Sequence, residues 1–387
     1  MSWFCTLPFS HLYNTTDGKF RLCCMATGDH QSHNIHDHSI KDWWYSDELN
    51  ELRTEFVTGK LDKVKTICSK CITDENNGVQ SYRLYHDELL PQYIDDYGCI
   101  EQSREHFSNT GEFKHFGRQL SLKLQIFGNY CNLSCYTCLP QSSSRRTTEL
   151  QKLGWYNAFG GRPVTQVNLD SVFDQIKDLL PYTAAIVIIG GEPLLMNSHY
   201  DFLDMIIESG HSKEIILSYT TNLTLLNLDK RNFLDYIDKF KQVAVNVSID
   251  GIGKRNEYIR HGSNWDKLIE NYNAIEGKVL RRVYYTTSIL SVFECKKAAE
   301  IFPDIMFDIT IVTAPDFLSV RHLPEEMKID LLMELAGDDR FKGIMKELNK
   351  DRSEKQFQKA INYIKTLDKV RPIKSYELFE ELQDVLR

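Results

Sequence analysis

No stretch of this 387-residue chain approaches the roughly 18 consecutive apolar residues that span a bilayer, and no charged-then-apolar leader opens it. A positive excess is missing too: 46 Lys and Arg against 54 Asp and Glu leave a formal charge of −8, which argues against an unspecific nucleic-acid or anionic-membrane surface. The expectation is a cytoplasmic protein without a membrane partner, and with nucleic acid disfavoured as one. What the chain does have is cysteine. Ten in a reducing compartment argue for metal or cluster ligation over disulfides, and seven of them fall into patterned groups. The length, with 42% apolar residues, predicts two or three domains.

Cys131, Cys135 and Cys138 form a C-x3-C-x2-C spacing just after a strand-like run at 122–127. A four-iron cubane normally takes one thiolate per iron. Three close cysteines leave one iron open, and an open iron can chelate the amino and carboxylate groups of S-adenosylmethionine. On spacing alone a zinc knuckle also fits. About fifty residues on, directly after the apolar run 184–189, comes Gly190-Gly191-Glu192-Pro193. By itself that segment is an ordinary strand-to-helix turn. Together the two motifs resemble the radical S-adenosylmethionine (radical SAM) superfamily. The resemblance implies that Gly190 and Gly191 let the backbone approach the methionyl end of the cofactor while Glu192 receives its amino group. One departure is that the family usually has an aromatic residue just before the third cysteine, where this chain has Thr137, with Tyr136 one place earlier.

From residue 121 onward, strand-like runs at 122–127, 185–189, 214–220, 243–249, 283–290 and 305–312 alternate with helical stretches such as 169–180, 200–208, 232–240 and 266–275. Parallel neighbours need such crossovers. The predicted fold is α/β: a partial (β/α)6 TIM-type radical SAM barrel at 115–322, a small N-terminal α+β cluster-binding domain at 1–110, and a helical C-terminal tail at 323–387, read as a tail or lid. In such barrels chemistry sits at the C-terminal ends of strands, where both motifs, Thr221-Asn222 and 248–251 all fall. The resemblance implies cofactor contacts from Asn222, Ser248 and Asp250, and an arginine, Arg260, directed at the cofactor carboxylate. Asn222 and Asp250 read equally well as turn or helix caps, and Arg260 as a surface arginine.

The first hundred residues do not read as another β/α unit. Cys5 is followed after twelve residues by Gly18 and after four more by Cys23; Cys68 and Cys71 form a C-x2-C pair. This resembles the twitch, or half-SPASM, module of radical enzymes, in which a glycine-bearing hairpin brings two distant cysteines together and a later pair completes four thiolates around an auxiliary cluster. The module stands before the barrel here, whereas relatives usually carry it after. A four-cysteine zinc site satisfies the same residues. Cys24 can replace Cys23 as ligand. Cys99 and Cys295 read as buried small hydrophobes, and His30, His33, His36 and His38 as a solvated loop.

The resemblance implies a radical SAM enzyme with two 4Fe-4S clusters that cleaves S-adenosylmethionine to a 5'-deoxyadenosyl radical and abstracts hydrogen from a substrate. A peptide or protein side chain is the leading substrate; a sugar or nucleotide-like metabolite, oxidised or epimerised, is the second. A low-potential donor such as flavodoxin or ferredoxin would supply the electron. A reading of another class is a non-catalytic iron-sulfur or zinc scaffold. The residues assign no general base or radical relay.

Overall fold

The computed structural model describes residues 4–27, 33–76, 78, 80–94, 97–303 and 305–387, with backbone alone for 89–93. His30 lies outside them. Among the described residues no helix is long and apolar enough to cross a membrane. The chain forms two compact units: Met1–Gly128, Val164–Tyr219 and Asp235–Val243 make the first, and Asn129–Pro163, Thr220–Leu234 and Ala244–Arg387 the second.

In the first unit, β1 (His11–Asn14) and β2 (Phe20–Arg21) form a short antiparallel hairpin. Gly18 turns it at φ +82, and an added Cβ there would lie 2.7 Å from Asn34 Oδ1, so only glycine fits. β3 (Leu120–Leu124), β4 (Thr183–Ile188) and β5 (Ile216–Thr221) follow, paired parallel in the order β3-β4-β5. β1 lies on the other side of β3, also parallel, with His11 opposite Ser121 and Tyr13 opposite Lys123. The N-terminal segment thus extends the sheet of the first predicted barrel strand, which its sequence did not foretell. All four residues of β1 are buried, and pairing with β3 satisfies a backbone that burial would otherwise leave without hydrogen bonds. Between β2 and β3 the regular elements among the described residues are all helices, from Ile40–Trp44 to Gly98–Thr110.

In the second unit a small hairpin, β6 (Asn227–Leu228) with β7 (Arg231–Asn232), precedes β8 (Gln242–Ile249), β9 (Leu280–Thr287) and β10 (Met306–Ile311), which pair parallel. The six strands predicted from 122 onward are all present, and helices connect them: this is the α/β architecture of a partial TIM-type barrel. The helix expected at 232–240 shrinks to Leu234–Ile237, with Phe233 and Phe240 buried at either end. Elsewhere the caps are conventional, Asn168 and Asn264 accepting the N–H of Ser171 and Lys267.

In the second unit alternate strand positions differ in polarity. Val245, Val247, Ile249, Val283, Tyr285 and Phe307 are buried apolar residues, whereas the alternate positions are Asn246, Ser248, Asp250, Arg282, Tyr284 and Asp308. A parallel sheet covered by apolar layers on both faces would show no such polar set. The tail is a buttress: helix Glu354–Asp368 buries Phe357, Ala360, Ile361, Ile364 and Leu367 at helical spacing, and Tyr363 joins Trp155, Phe159 and Phe317 in an aromatic cluster.

Candidate cluster and cofactor sites

In the second unit, Cys131 and Cys135 are buried around Leu133, and Cys138 packs against them. The loop is tied down along its length. Ser134 and Tyr136 donate their N–H groups to the carbonyls of His261 and Ile259, each at 2.8 Å, and Cys138 donates to the Cys135 carbonyl at 3.1 Å. Gly262, at φ +101, permits that approach, since a Cβ there would lie 3.1 Å from the Asn132 carbonyl oxygen. Two donors point at the first sulfur: the Leu133 N–H at 3.5 Å and Asn222 Nδ2 at 3.8 Å from Cys131 Sγ. Asn222 also donates to Asn132 Oδ1 at 2.9 Å and accepts from Thr224, so it organises the cysteine loop directly.

Arg260 lies among these thiols. Its Nη1 donates to Asp250 Oδ2 at 2.7 Å, while Asp250 Oδ1 accepts the Thr286 N–H at 2.9 Å. Burial opposes the guanidinium charge, but Cys135, Asp250 and Cys138 outweigh it and hold Arg260 firmly protonated. Its Nε is buried without a hydrogen-bond partner among the described residues. The hydrogen bond from Cys138 brings the Cys135 thiol down to about 7 against the effect of burial, with Arg260 and Arg371 assisting, while the same bond and burial push the Cys138 thiol up. Ser248 stands half-buried on β8, opposite Tyr284.

Four residues of this site carried no sequence signal. Arg371, 2% exposed, donates to the Ser134 carbonyl at 2.8 Å, to the Tyr258 carbonyl at 2.6 Å and to Glu149 at 3.1 Å. Arg146 and Tyr363 donate to the Tyr136 carbonyl at 2.7 and 3.0 Å, and Arg146 also pairs with Glu149. Tyr136 itself, wholly buried, stacks on Tyr363 and bonds to Ser288. The displaced aromatic residue therefore anchors the loop to the tail.

In the first unit, Gly190 and Gly191 follow β4 at φ +92 and +58, conformations that side chains rarely adopt. A Cβ on Gly190 would lie 3.3 Å from Thr16 Cγ2 and 3.5 Å from Gln125 Cβ. Glu192 is 1% exposed and caps the following turn by accepting the Leu194 N–H at 3.3 Å.

The same unit holds Cys5, Cys23, Cys68 and Cys71, all buried and near enough to act on one another. Burial, then neighbouring Cys23 and Cys68, pushes the Cys5 thiol up. Cys23 is pushed up to about 12 by burial, then by Cys24 and Cys71, and Cys68 rises by burial and by Cys23 and Cys71. Burial that disfavours bare thiolates at Cys5, Cys23 and Cys68 is relieved by a cationic group among the sulfurs, and four thiols are a donor set that fits a cluster or metal. Cys24 is half-buried. Among the described residues no three His, Cys, Asp or Glu side chains close around a single metal ion. The three-sulfur set with its N–H donors fits an iron-sulfur cluster with one open corner. Cys99 and Cys295 are buried, as expected. His33 packs against His38 and Trp43, and His36 lies against Gly18.

Residues 126–294 match the family model of the radical SAM superfamily, and residues 5–72 match that of the SPASM iron-sulfur cluster-binding domain. The first domain implies a 4Fe-4S cluster and S-adenosylmethionine, the second auxiliary iron-sulfur chemistry. No curated protein matches the chain. Among solved structures it is similar to Streptococcus suis SuiB bound to S-adenosylmethionine, at 16% identity and a TM-score of 0.38, covering 76% of this chain and 63% of that one. SuiB bound to precursor peptide SuiA gives 16% identity and a TM-score of 0.38 over 88% and 77% of the two chains. SuiB alone gives 15% and 0.35 over 81% and 66%. The chain thus spans less than two thirds of the length of the first of these structures.

Proposed function

Because the chain carries a radical SAM domain preceded by a SPASM domain, we propose that it is an enzyme that cleaves S-adenosylmethionine reductively and modifies or oxidises a peptide or protein side chain by hydrogen abstraction. The observation that carries this reading is the set of buried Cys131 and Cys135 with half-buried Cys138 packed against them, with amide donors on Cys131 and a buried arginine beside the other two. With its cluster and cofactor bound, the site would supply a 5'-deoxyadenosyl radical.

The chain's own residues would do the following. Cys131, Cys135 and Cys138 hold the cluster, and Asn222 and the Leu133 N–H temper the charge on the first sulfur. Gly190 and Gly191 leave room for the methionyl end, and Glu192 receives the amino group. Arg260, fixed by Asp250, presents a positive charge toward the cofactor carboxylate, and Asn222, Ser248 and Asp250 line the rest. Cys5, Cys23, Cys68 and Cys71 hold an auxiliary 4Fe-4S cluster that takes an electron from the substrate radical or coordinates substrate. The functional divisions are 1–110 for the auxiliary module, 115–322 for the barrel and 323–387 for the extension. The setting is the cytoplasm, with flavodoxin or ferredoxin as donor.

The peptide substrate follows from the resemblance of the auxiliary module to those of peptide-modifying relatives. The test is anaerobic reconstitution of the full chain, reduction with dithionite and quantitation of 5'-deoxyadenosine. Formation of that product is expected, and protein with full iron that never yields it refutes the reading.

A further inference from the structure

β1 and β3 pair so that His11 stands opposite Ser121 and Tyr13 opposite Lys123, and side chains two apart on a strand share a face. On that face the first unit gathers an unusual set of hydrogen-bond donors. His11 is 4% exposed and His86, from helix Tyr82–Tyr93, is 7% exposed, their rings edge to face at 5.5 Å. Neither ring nitrogen of His11, nor Nδ1 of His86, has a hydrogen-bond partner among the described residues. The Ser121 backbone lies near enough to the His11 ring to oppose the effect of burial on it, though outside normal hydrogen-bond geometry. Lys123 is half-buried, with Nζ 5.6 Å from the centre of the Tyr13 ring and 5.5 Å from that of Tyr82. It is close enough to both imidazoles to help burial hold them neutral, and among the described residues no carboxylate pairs with it. The adjacent acid, Asp87, is already engaged by Thr6 at 2.7 Å and faces Arg83.

We propose that His11, His86 and Lys123, walled by Tyr13 and Tyr82, form a recognition site for a carboxylate carried by the substrate. A neutral imidazole has one N–H donor and one acceptor, and burying both unbonded is costly unless a partner arrives. The ammonium selects an anion and repels a cation. One positive charge in a mostly buried, aromatic-walled setting matches a single negative charge; a phosphate dianion would leave half its charge uncompensated there. The site connects to the Gly190 turn, since Tyr13 accepts from Gln125 Nε2 at 3.1 Å and Gln125 Cβ lies 3.5 Å from where a Cβ on Gly190 would stand. The face also lies beside the auxiliary cysteines, because Cys24 and Cys23 both act on the Tyr13 hydroxyl. An acidic residue of a peptide and a carboxylated metabolite such as a uronate share this chemistry.

The inference rests on the proposed enzymatic reading, and its test separates the two. Anaerobically reconstituted full-length protein is titrated calorimetrically with N-acetyl-Gly-Glu-Gly-amide and its Gln counterpart, and with glucuronate and glucose. The acidic member of at least one pair is expected to bind about tenfold or more tightly. The pair that discriminates identifies the source: the peptides support an acidic peptide, the sugars a carboxylated metabolite. In Lys123→Met the preference should fall to near one, and in Lys123→Arg it should persist. If Lys123→Met does not fold, His86→Gln serves, with the preference reduced severalfold. Equal binding within both pairs, or a preference unchanged in the variants, overturns the proposal. Substrate-free 5'-deoxyadenosine formation by the unaltered protein is measured in parallel, and its absence counts against the enzymatic reading while leaving the binding ratio legible.

Discussion

Replacing Arg371 by Met should loosen the cysteine loop from a position 233 residues beyond Cys138 in sequence. The guanidinium is buried and spends its donors on the carbonyls of Ser134 and Tyr258 and on Glu149. Methionine fills much of the same volume but removes every one of these bonds, leaving two carbonyls unanswered and Glu149 with Arg146 alone. Hydrogen bonds from a charged donor contribute about 1.5–3 kcal/mol each. Breaking a buried pair from one side costs about 3–5 kcal/mol, and we take that as the total, since the bonds share one side chain. At roughly 2–4 °C per kcal/mol for a unit of this size, Tm should fall by about 6–20 °C. A chain of two units need not unfold in one step, so the assay is differential scanning at fixed rate under argon, wild type against variant. Arg371→Lys keeps the charge but not the planar fork and should fall between. Iron retained by a Cys68→Ala background reports the triplet site and should drop in parallel. If both Arg371 variants melt within about 2 °C of wild type with full iron, the clamp described here does not hold the loop.

Other outcomes follow from the same geometry. Cys135→Ala should abolish 5'-deoxyadenosine formation, whereas Cys68→Ala should spare it and impair product formation; normal cleavage by both would dissolve the division of labour. Reconstituted protein should hold about eight irons per chain, two cubanes, and zinc in their place would favour a scaffold. Gly190→Ala meets Thr16 at 3.3 Å and a φ of +92, so cleavage should fall at least tenfold with iron content unchanged; activity near wild type would show that the close approach is not needed. Burial pushes His86 down to about 4. Below the unfolded value of about 6.5 the unfolded chain binds a proton that the native chain refuses, so stability falls as pH drops from 6.5 toward 4. Between pH 7 and 5 this one group accounts for roughly 2 kcal/mol. His86→Gln should shrink the urea-midpoint loss between those pH values, and an identical loss would contradict the assignment.

Sequence alone determined what depends on adjacency and period. The spacing of Cys131, Cys135 and Cys138, the glycines before Glu192, the hairpin glycine between Cys5 and Cys23, and the alternation of apolar runs with helical stretches are all local, and each limits the chain wherever the rest of it goes. Tertiary structure decided what depends on distant parts meeting. Nothing near Asn222 in sequence says that its amide will point at Cys131 as well as cap a turn, and nothing around Tyr363 or Arg371 says that they will hold the cysteine loop by its carbonyls. Nor does the run at 11–14 reveal that it will pair with β3 and set His11 and Tyr13 beside Lys123. Local pattern records which face of an element is apolar. Which partner covers that face, and which polar groups are thereby stranded or satisfied, is fixed only when non-local burial and strand register are settled together.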